Sequence, residues 1–428
     1  MAKESSMSLD DLINNQFTEL QDLSKEDDSI TDWFTTSNYA LNYICSKNLK
    51  YGIPCGAITA FFGQSGTGKS MIPAIISKDP KIDRVIVIDS EGSGTGASLF
   101  KFVGCDLSKV RYINIQTLDS YKISKENGKM EEVADKEVPT GKLETPSYIY
   151  HIGLNLFLKR LLYAIEYNHV NEKTLIIVDS LSNMKSVRGL TGVADMGKQN
   201  QLLNALFSSL DNVLKKTNTT MIFANKVYTD INNPYNTEGV ISGGLAVMYN
   251  PSLMVGLTAL QDNPEIADAD LKAEKERRKT GLGNSLKTIR ARVKKSRFGT
   301  ENRNAYVVLD ATYGLTKYSG LFQLLVDFGV AVKVGTRYTL PNIIVNDKGE
   351  NVSFYKKDFV NELMKNEEEY INKIQLALNE KEEALKSKAI NLTVNDIDEA
   401  REEIGDADEE ISTIDLANAM EAEMENSL

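Results

Sequence analysis

Residues 63–70, GQSGTGKS, constrain the fold of this chain more than any other stretch. They follow GAITAFF (56–62), an apolar run with the character of a buried strand, and precede MIPAIIS (71–77), which starts as a helix. Pro73 is tolerated there because it falls in the first turn. Gly63, four residues, then Gly68, Lys69 and Ser70 is the spacing of a P-loop between strand and helix. Glycine lets backbone N–H groups turn toward an anion with no Cβ in the way. The helix N-terminus adds partial positive charge. Gly63, Gln64, Ser65, Gly66, Thr67, Gly68, Lys69 and Ser70 are therefore the candidate phosphate-binding residues. Lys69 would reach the β- and γ-phosphates, and the Ser70 hydroxyl would hold Mg²⁺. The alternative is a Gly-rich turn without a ligand, which the flanking strand and helix disfavour.

The rest of the chain repeats the strand-then-helix alternation. RVIVIDS (84–90), VRYINI (110–115), TLIIVDS (174–180), TTMIFAN (219–225) and SLMVGLTAL (252–260) are contiguous apolar runs, with helical periodicity over 148–168 and 197–216. Contiguous rather than alternating apolar strands predict an α/β fold, a mostly parallel sheet covered by helices on both faces. The chain divides into a small N-terminal segment (1–34), a core (35–340), a Lys/Glu-rich helical region (341–394) and an acidic, disordered tail (395–428). Polar segments at 120–147 and 262–288 interrupt the core as surface excursions. KAEKERRK, inside the second, is a solvated helix face or a nucleic-acid patch.

Several function classes drop out. No run of 18 apolar residues exists, so no membrane partner is expected, and the N-terminus lacks an apolar signal region. Cys45, Cys55 and Cys105 have neither zinc nor redox spacing and are expected to be free thiols in a reducing compartment. His151 and His169 are isolated, which argues against triad chemistry and a His-rich metal site. The net charge of −11, taken alone, argues against nucleic acid. However, residues 395–428 alone carry thirteen Asp or Glu and one Arg, and without them the chain stands at +1. Such a block is a solubilising tail or a competitor for a basic groove.

Two strand ends carry carboxylates. Asp179 closes TLIIVDS, the Walker-B position for a second magnesium contact, or else an Asp capping a turn. Asp89 and Glu91 end RVIVIDSEG, and alternation aims them the same way, with Glu91 further toward the ligand edge. A hydrolytic site needs such a base to orient or deprotonate water.

Together these residues resemble the RecA-family recombinases, and within them the phage UvsX type. GQSGTGKS, the Asp89-Ser90-Glu91 strand end, VDSLSN ending at Asn183, IFAN (222–225), the Gly-Gly and VMY of 243–249, VKKSR (293–297) and YSGLFQLLVDFGVAVK (318–333) come in the family's order across roughly 35–340. The resemblance implies a RecA-like ATPase core that uses ATP and Mg²⁺, with Glu91 as catalytic base. Lys69 would assist, while Lys295 and Arg297 would reach a neighbouring subunit's γ-phosphate; a DNA-tracking or solvent-facing basic strand is the other reading. It implies single-stranded DNA binding by two loops, about 185–198 and 227–244. The first carries Lys185, Arg188 and Lys198 among three glycines, and the second Tyr228, Tyr235, Gly243 and Gly244. Cations there would track phosphates and aromatics would wedge between bases.

The function so implied is DNA recombination and repair: a helical filament on single-stranded DNA, DNA-dependent ATP hydrolysis, and pairing and strand exchange with homologous duplex DNA. The protein would be phage-encoded and act in the host cytoplasm. The N-terminal segment would dock on the neighbouring copy, and the tail would meet single-strand-binding or mediator proteins. Lys226 departs from the Gln or His the family places after IFAN; lysine cannot accept a hydrogen bond, so the usual γ-phosphate sensing is in doubt. The alternatives are a RecA-fold ring ATPase (helicase or clock-type motor) and a non-enzymatic filament-forming mediator.

Overall fold

Five contiguous apolar runs and one shorter strand build the parallel centre of one large sheet in the computed structural model. The structure describes residues 32–90, 96–114, 121–123, 130–132, 172–181, 198–228, 239–242, 245–260, 286–310 and 314–404. In chain order the strands are β1 (Trp33–Phe34), β2 (Ile53–Pro54), β3 (Ile58–Gly63), β4 (Arg84–Asp89), β5 (Val110–Asn114), β6 (Tyr121–Ile123), β7 (Met130–Glu132), β8 (Thr174–Asp179) and β9 (Thr219–Tyr228). They continue as β10 (Val240–Ile241), β11 (Leu253–Ala259), β12 (Leu286–Ser296), β13 (Asn304–Asp310), β14 (Gly314–Leu315), β15 (Val332–Val334), β16 (Arg337–Thr339) and β17 (Ser353–Phe354). The helices are α1 (Tyr39–Ser46), α2 (Met71–Ile76), α3 (Ala97–Phe102), α4 (Lys198–Lys216), α5 (Leu245–Tyr249), α6 (Leu321–Asp327), α7 (Phe359–Met364) and α8 (Glu367–Ile404).

The large sheet runs β14-β13-β12-β11-β3-β9-β8-β4-β5, with β10 paired to β9. Every pairing from β11 through β5 is parallel, and β12, β13 and β14 extend that sheet in antiparallel fashion. This matches the expected α/β class. The parallel strands are apolar on both faces because both are covered: every residue of β3 is buried, as are all of β4 after Arg84. Leu203, Leu206, Phe207, Leu210 and Leu214 of α4 recur at helical spacing and pack on Ile58, Ile176, Met221 and Phe223 of the sheet.

Two compact units share the chain. One draws on residues up to Leu324 together with Phe354–Lys365, the other on Leu325–Ser353 and the chain from Asn366. Within the second, β15 and β16 form a hairpin, and α8 buries Ile371, Ile374 and Leu378. In the first, β6 and β7 pair inside the segment read as an excursion, and β12 begins at Leu286, inside the other one. The alternation of LKTIRARV explains the latter: Ile289, Ala291 and Val293 are fully buried while the intervening cations are not.

A small electrostatic tie holds the N-terminal edge. Lys81 Nζ donates to Asp32 Oδ1 at 2.7 Å, Lys173 Nζ donates to Asp32 Oδ2, and Lys81 also lies 4.3 Å from the Tyr51 ring centroid. Burial by itself would raise the Asp32 pKa, but the hydrogen bonds and charges of Lys173 and Lys81 outweigh it and hold the carboxyl below its ordinary value. A depressed carboxylate contributes stability above its unfolded pKa, near 4, that is lost as pH falls through the folded value. Because all three side chains are about a third exposed, the tie is worth about 1 kcal/mol. Asp32→Asn should lower the melting temperature at pH 7, with the gap to wild type narrowing as pH falls below about 4, measured by thermal unfolding across pH.

Candidate functional site

Strand β3 lies between β9 and β11, so Gly63 reaches the carboxyl edge of the parallel sheet at its middle. A Cβ on Gly63 would stand 2.3 Å from Leu257 O and 2.8 Å from Thr67 Oγ1, so only glycine fits. Gly66 and Gly68 take φ of +76° and +90°, the left-handed region that favours glycine. Thr67 Oγ1 donates to Gln64 O at 2.8 Å and Lys69 Nζ donates to the same carbonyl at 2.5 Å, bracing the loop across its mouth. Ile72 N–H donates to Gly68 O at 2.9 Å, carrying the loop directly into α2. Ser70 is the N-cap of α2 but its side chain makes no capping bond.

The carboxylates stand on the same edge. β8 ends at Asp179 and β4 at Asp89, which are register partners. Only β9 separates β8 from β3, so Asp179 sits roughly 10 Å to the side of the loop's strand, at about 4.8 Å per strand. The Asp179–Ser180 peptide is cis. Reciprocal bonds lock the two strand ends together: Ser90 Oγ donates to Ser180 O at 2.6 Å, Ser180 N–H donates to Ser90 Oγ at 2.9 Å, and Ser90 N–H donates to Asp179 O at 2.8 Å. Asp89 is buried and accepts a bond of 2.5 Å from the Tyr112 hydroxyl. Burial, together with the negative charges of Asp89 and Asp179, pushes the Tyr112 pKa up, so the phenol stays a donor. Glu91 lies outside the described residues.

The other cations take distinct positions. Lys226 on β9 pairs in register with Gly63, beside the loop, and its N–H donates to Asn225 Oδ1 at 3.1 Å. The buried Asn225 amide in turn donates to Ser242 O at 2.5 Å, tying β9 to β10. Lys295 Nζ donates to Tyr249 O, and Arg297, one residue beyond β12, donates its N–H to Ser252 O at 2.9 Å. Ser296 pairs with Leu253 at the start of β11, whereas Leu257 pairs with Gly63. Lys295 and Arg297 therefore occupy the opposite end of the strands from their own chain's 63–70 loop.

Of the residues read as contacting DNA, Tyr228 ends β9 and is 59% exposed, paired with Val240 across the hairpin that closes 229–239. Lys198 starts α4, its side chain undescribed, while Lys185, Arg188, Tyr235, Gly243 and Gly244 fall outside the described residues. Three groups escaped the sequence reading: Tyr112, the Ser90–Ser180 clasp and Lys287. Each depends on strand pairing between distant segments, which leaves no local signal. The cysteines are free thiols. Burial pushes Cys55 up to about 12 and also pushes Cys45 up, so neither serves as a nucleophile near neutral pH. Among the described residues no group of three His, Cys, Asp or Glu side chains could hold a metal, and no helix is long and apolar enough to cross a membrane.

No family model matches the chain. It is similar to RecA of Anaplasma marginale (strain Florida), 24% identical over 198 residues covering 44% of this chain and 50% of that protein. RecA of Desulforapulum autotrophicum is 25% identical over 190 residues, 43% of this chain and 50% of its own. RecA of Aquifex aeolicus is 20% identical over 311 residues, 72% of this chain and 74% of its own. The chain spans about half the length of the first two relatives. These similarities support a place among RecA-like proteins, the family to which the motifs also point.

Proposed function

We propose that the chain is an ATP-dependent recombinase of the RecA family, of the UvsX type, that assembles as a filament on single-stranded DNA and pairs it with homologous duplex DNA. The observation that carries this reading is the 63–70 loop, opening at the carboxyl edge of a parallel sheet with Asp179 two strands away. The residues fit a magnesium-bound polyphosphate. Gly66 and Gly68 hold the left-handed backbone such a cradle needs, and Ser70 and Asp179 offer hard oxygen donors of the kind Mg²⁺ prefers. Ser70 and Asp179 would hold Mg²⁺, which would supply positive charge to offset the negative charge of the phosphates.

In this reading each part of the chain has one task. The backbone of 63–70 binds the phosphates, Lys69 reaches the γ-phosphate, and Glu91 takes the proton of the attacking water. Lys295 and Arg297 serve the next subunit's site, since they lie at the far end of their own strands. The 185–198 and 227–244 segments hold the DNA. ATP favours the form with high DNA affinity only by its differential affinity for the two forms, and hydrolysis releases it.

The test is ATP turnover with and without single-stranded DNA at matched salt. Strong stimulation is expected; turnover indifferent to DNA sinks the loop assignments and moves a ring-forming motor ahead. The acidic segment has its own test. Removing 395–428 takes the net charge from −11 to +1. If the tail competes with DNA, its removal tightens single-stranded DNA binding about tenfold, an ordinary coupling free energy, and binding persists to higher salt. A superimposable salt titration would leave the tail as a solubiliser.

A further inference from the structure

A second lysine of the same chain stands over the 63–70 loop. Lys287 lies near the start of β12, at the carboxyl edge of the sheet and at the opposite end of that strand from Lys295. A Cβ built on Gly66 would be 3.3 Å from its Nζ. Its register partner on β13, Leu309, brings Cδ1 to 2.5 Å from the corresponding position on Gly68. Cross-strand partners point to the same face, so one rung of the β12–β13 ladder spans the middle of the loop, a cation on one glycine and a methyl group on the next. Thr288, the next residue, is fully buried on the other face.

The placement needs a reason. Lys287 is exposed, and among the described residues it has no ion-pair or hydrogen-bond partner. Lys69, the cation of the loop itself, donates to Gln64 O. An ammonium set over a left-handed glycine of this loop is placed for an anion.

We infer that Lys287 is a second phosphate-binding cation of this site, acting in cis on the phosphates that are not transferred. This rests on the 63–70 loop being a polyphosphate cradle. Lys69 sits at the loop's far end, beside the start of α2, and Lys287 at its middle. A charge on phosphates present in both substrate and product binds ground state and transition state alike. It therefore acts on KM and on ADP retention rather than on kcat.

The experiment is equilibrium binding of a fluorescent ADP and ATP pair to the full-length protein, together with steady-state turnover. The variants are Lys287→Ala, Lys287→Arg, Lys287→Glu and, as reference, Lys69→Ala. Lys287→Ala should weaken ADP and ATP equally, about tenfold, and raise KM to match while kcat falls less than threefold. Arg should recover most of the affinity and Glu should lose more than Ala. The gap between wild type and Ala should narrow in 1 M salt, where exposed charges are screened within about 3 Å. A purely structural role would instead lower the melting temperature, ignore salt and affect Ala and Glu alike. Wild-type affinity in Lys287→Ala, with affinity lost in Lys69→Ala, overturns the role of Lys287 and leaves the cradle standing. Failure of wild type to bind either nucleotide overturns both.

Discussion

Replacing Lys69 with alanine should lower ATP turnover by at least 10²–10³-fold, with and without DNA, while the protein stays folded. The size follows from losing one preorganised cation where negative charge develops on the transferred phosphoryl oxygens. The fold should survive because Lys69 is only partly buried and Gln64 O, which accepts from it, belongs to an exposed residue that water can serve in its place. A partly exposed substitution of this kind changes stability by about 0.5 kcal/mol or less. Lys69→Arg should not restore the rate. The guanidinium is broad and planar and presents its charge as a fixed fork, whereas the lysine ammonium is a compact point charge. The measurement is turnover beside a thermal melt. Wild-type turnover in a folded Lys69→Ala protein would remove the loop from catalysis altogether.

What could be read from the chain alone follows the physics of burial. The runs at 58–63, 84–89, 110–114, 174–179, 219–228 and 253–259 stand out because strands inside a parallel sheet are mostly apolar on both faces, and α4 because its leucines keep a helical period. The ends of β3, β4 and β8 could be placed at one edge because all three run in the same direction. β12 to β14 were harder. LKTIRARVKKS interleaves buried Ile289, Ala291 and Val293 with cations, so its strand character hides behind charge, and the polar run of 262–288 extends over its first residues. The contacts that shape the site around the loop are also non-local. Tyr112 meets Asp89 across the β4–β5 pair, and Lys287 meets Gly66 only after β12 has joined β11. A local pattern gives each residue but not its partner.

Those pairings also decide which carboxylate is left for chemistry. Two carboxylates share the end of RVIVIDSEG, and alternation aims them the same way with Glu91 further toward the ligand edge. Asp89 is 1% exposed and its carboxylate accepts the Tyr112 hydroxyl, so it is engaged as an internal brace between β4 and β5. In the proposed reading the base is Glu91, two residues further along the chain. Glu91→Gln keeps the shape and hydrogen-bonding capacity while removing the basic oxygen pair. Turnover should fall by 10²–10⁴-fold, the usual worth of a positioned base, with nucleotide affinity changed less than about threefold. Because release of DNA waits on hydrolysis in this reading, complexes with single-stranded DNA formed in ATP should also dissociate more slowly, by a factor near that of the lost turnover. Quenched-flow hydrolysis and DNA dissociation measured on one preparation check both. A Gln variant that hydrolyses normally removes Glu91 as base. One that hydrolyses slowly but releases DNA at the wild-type rate would show that nucleotide and DNA are not linked as proposed.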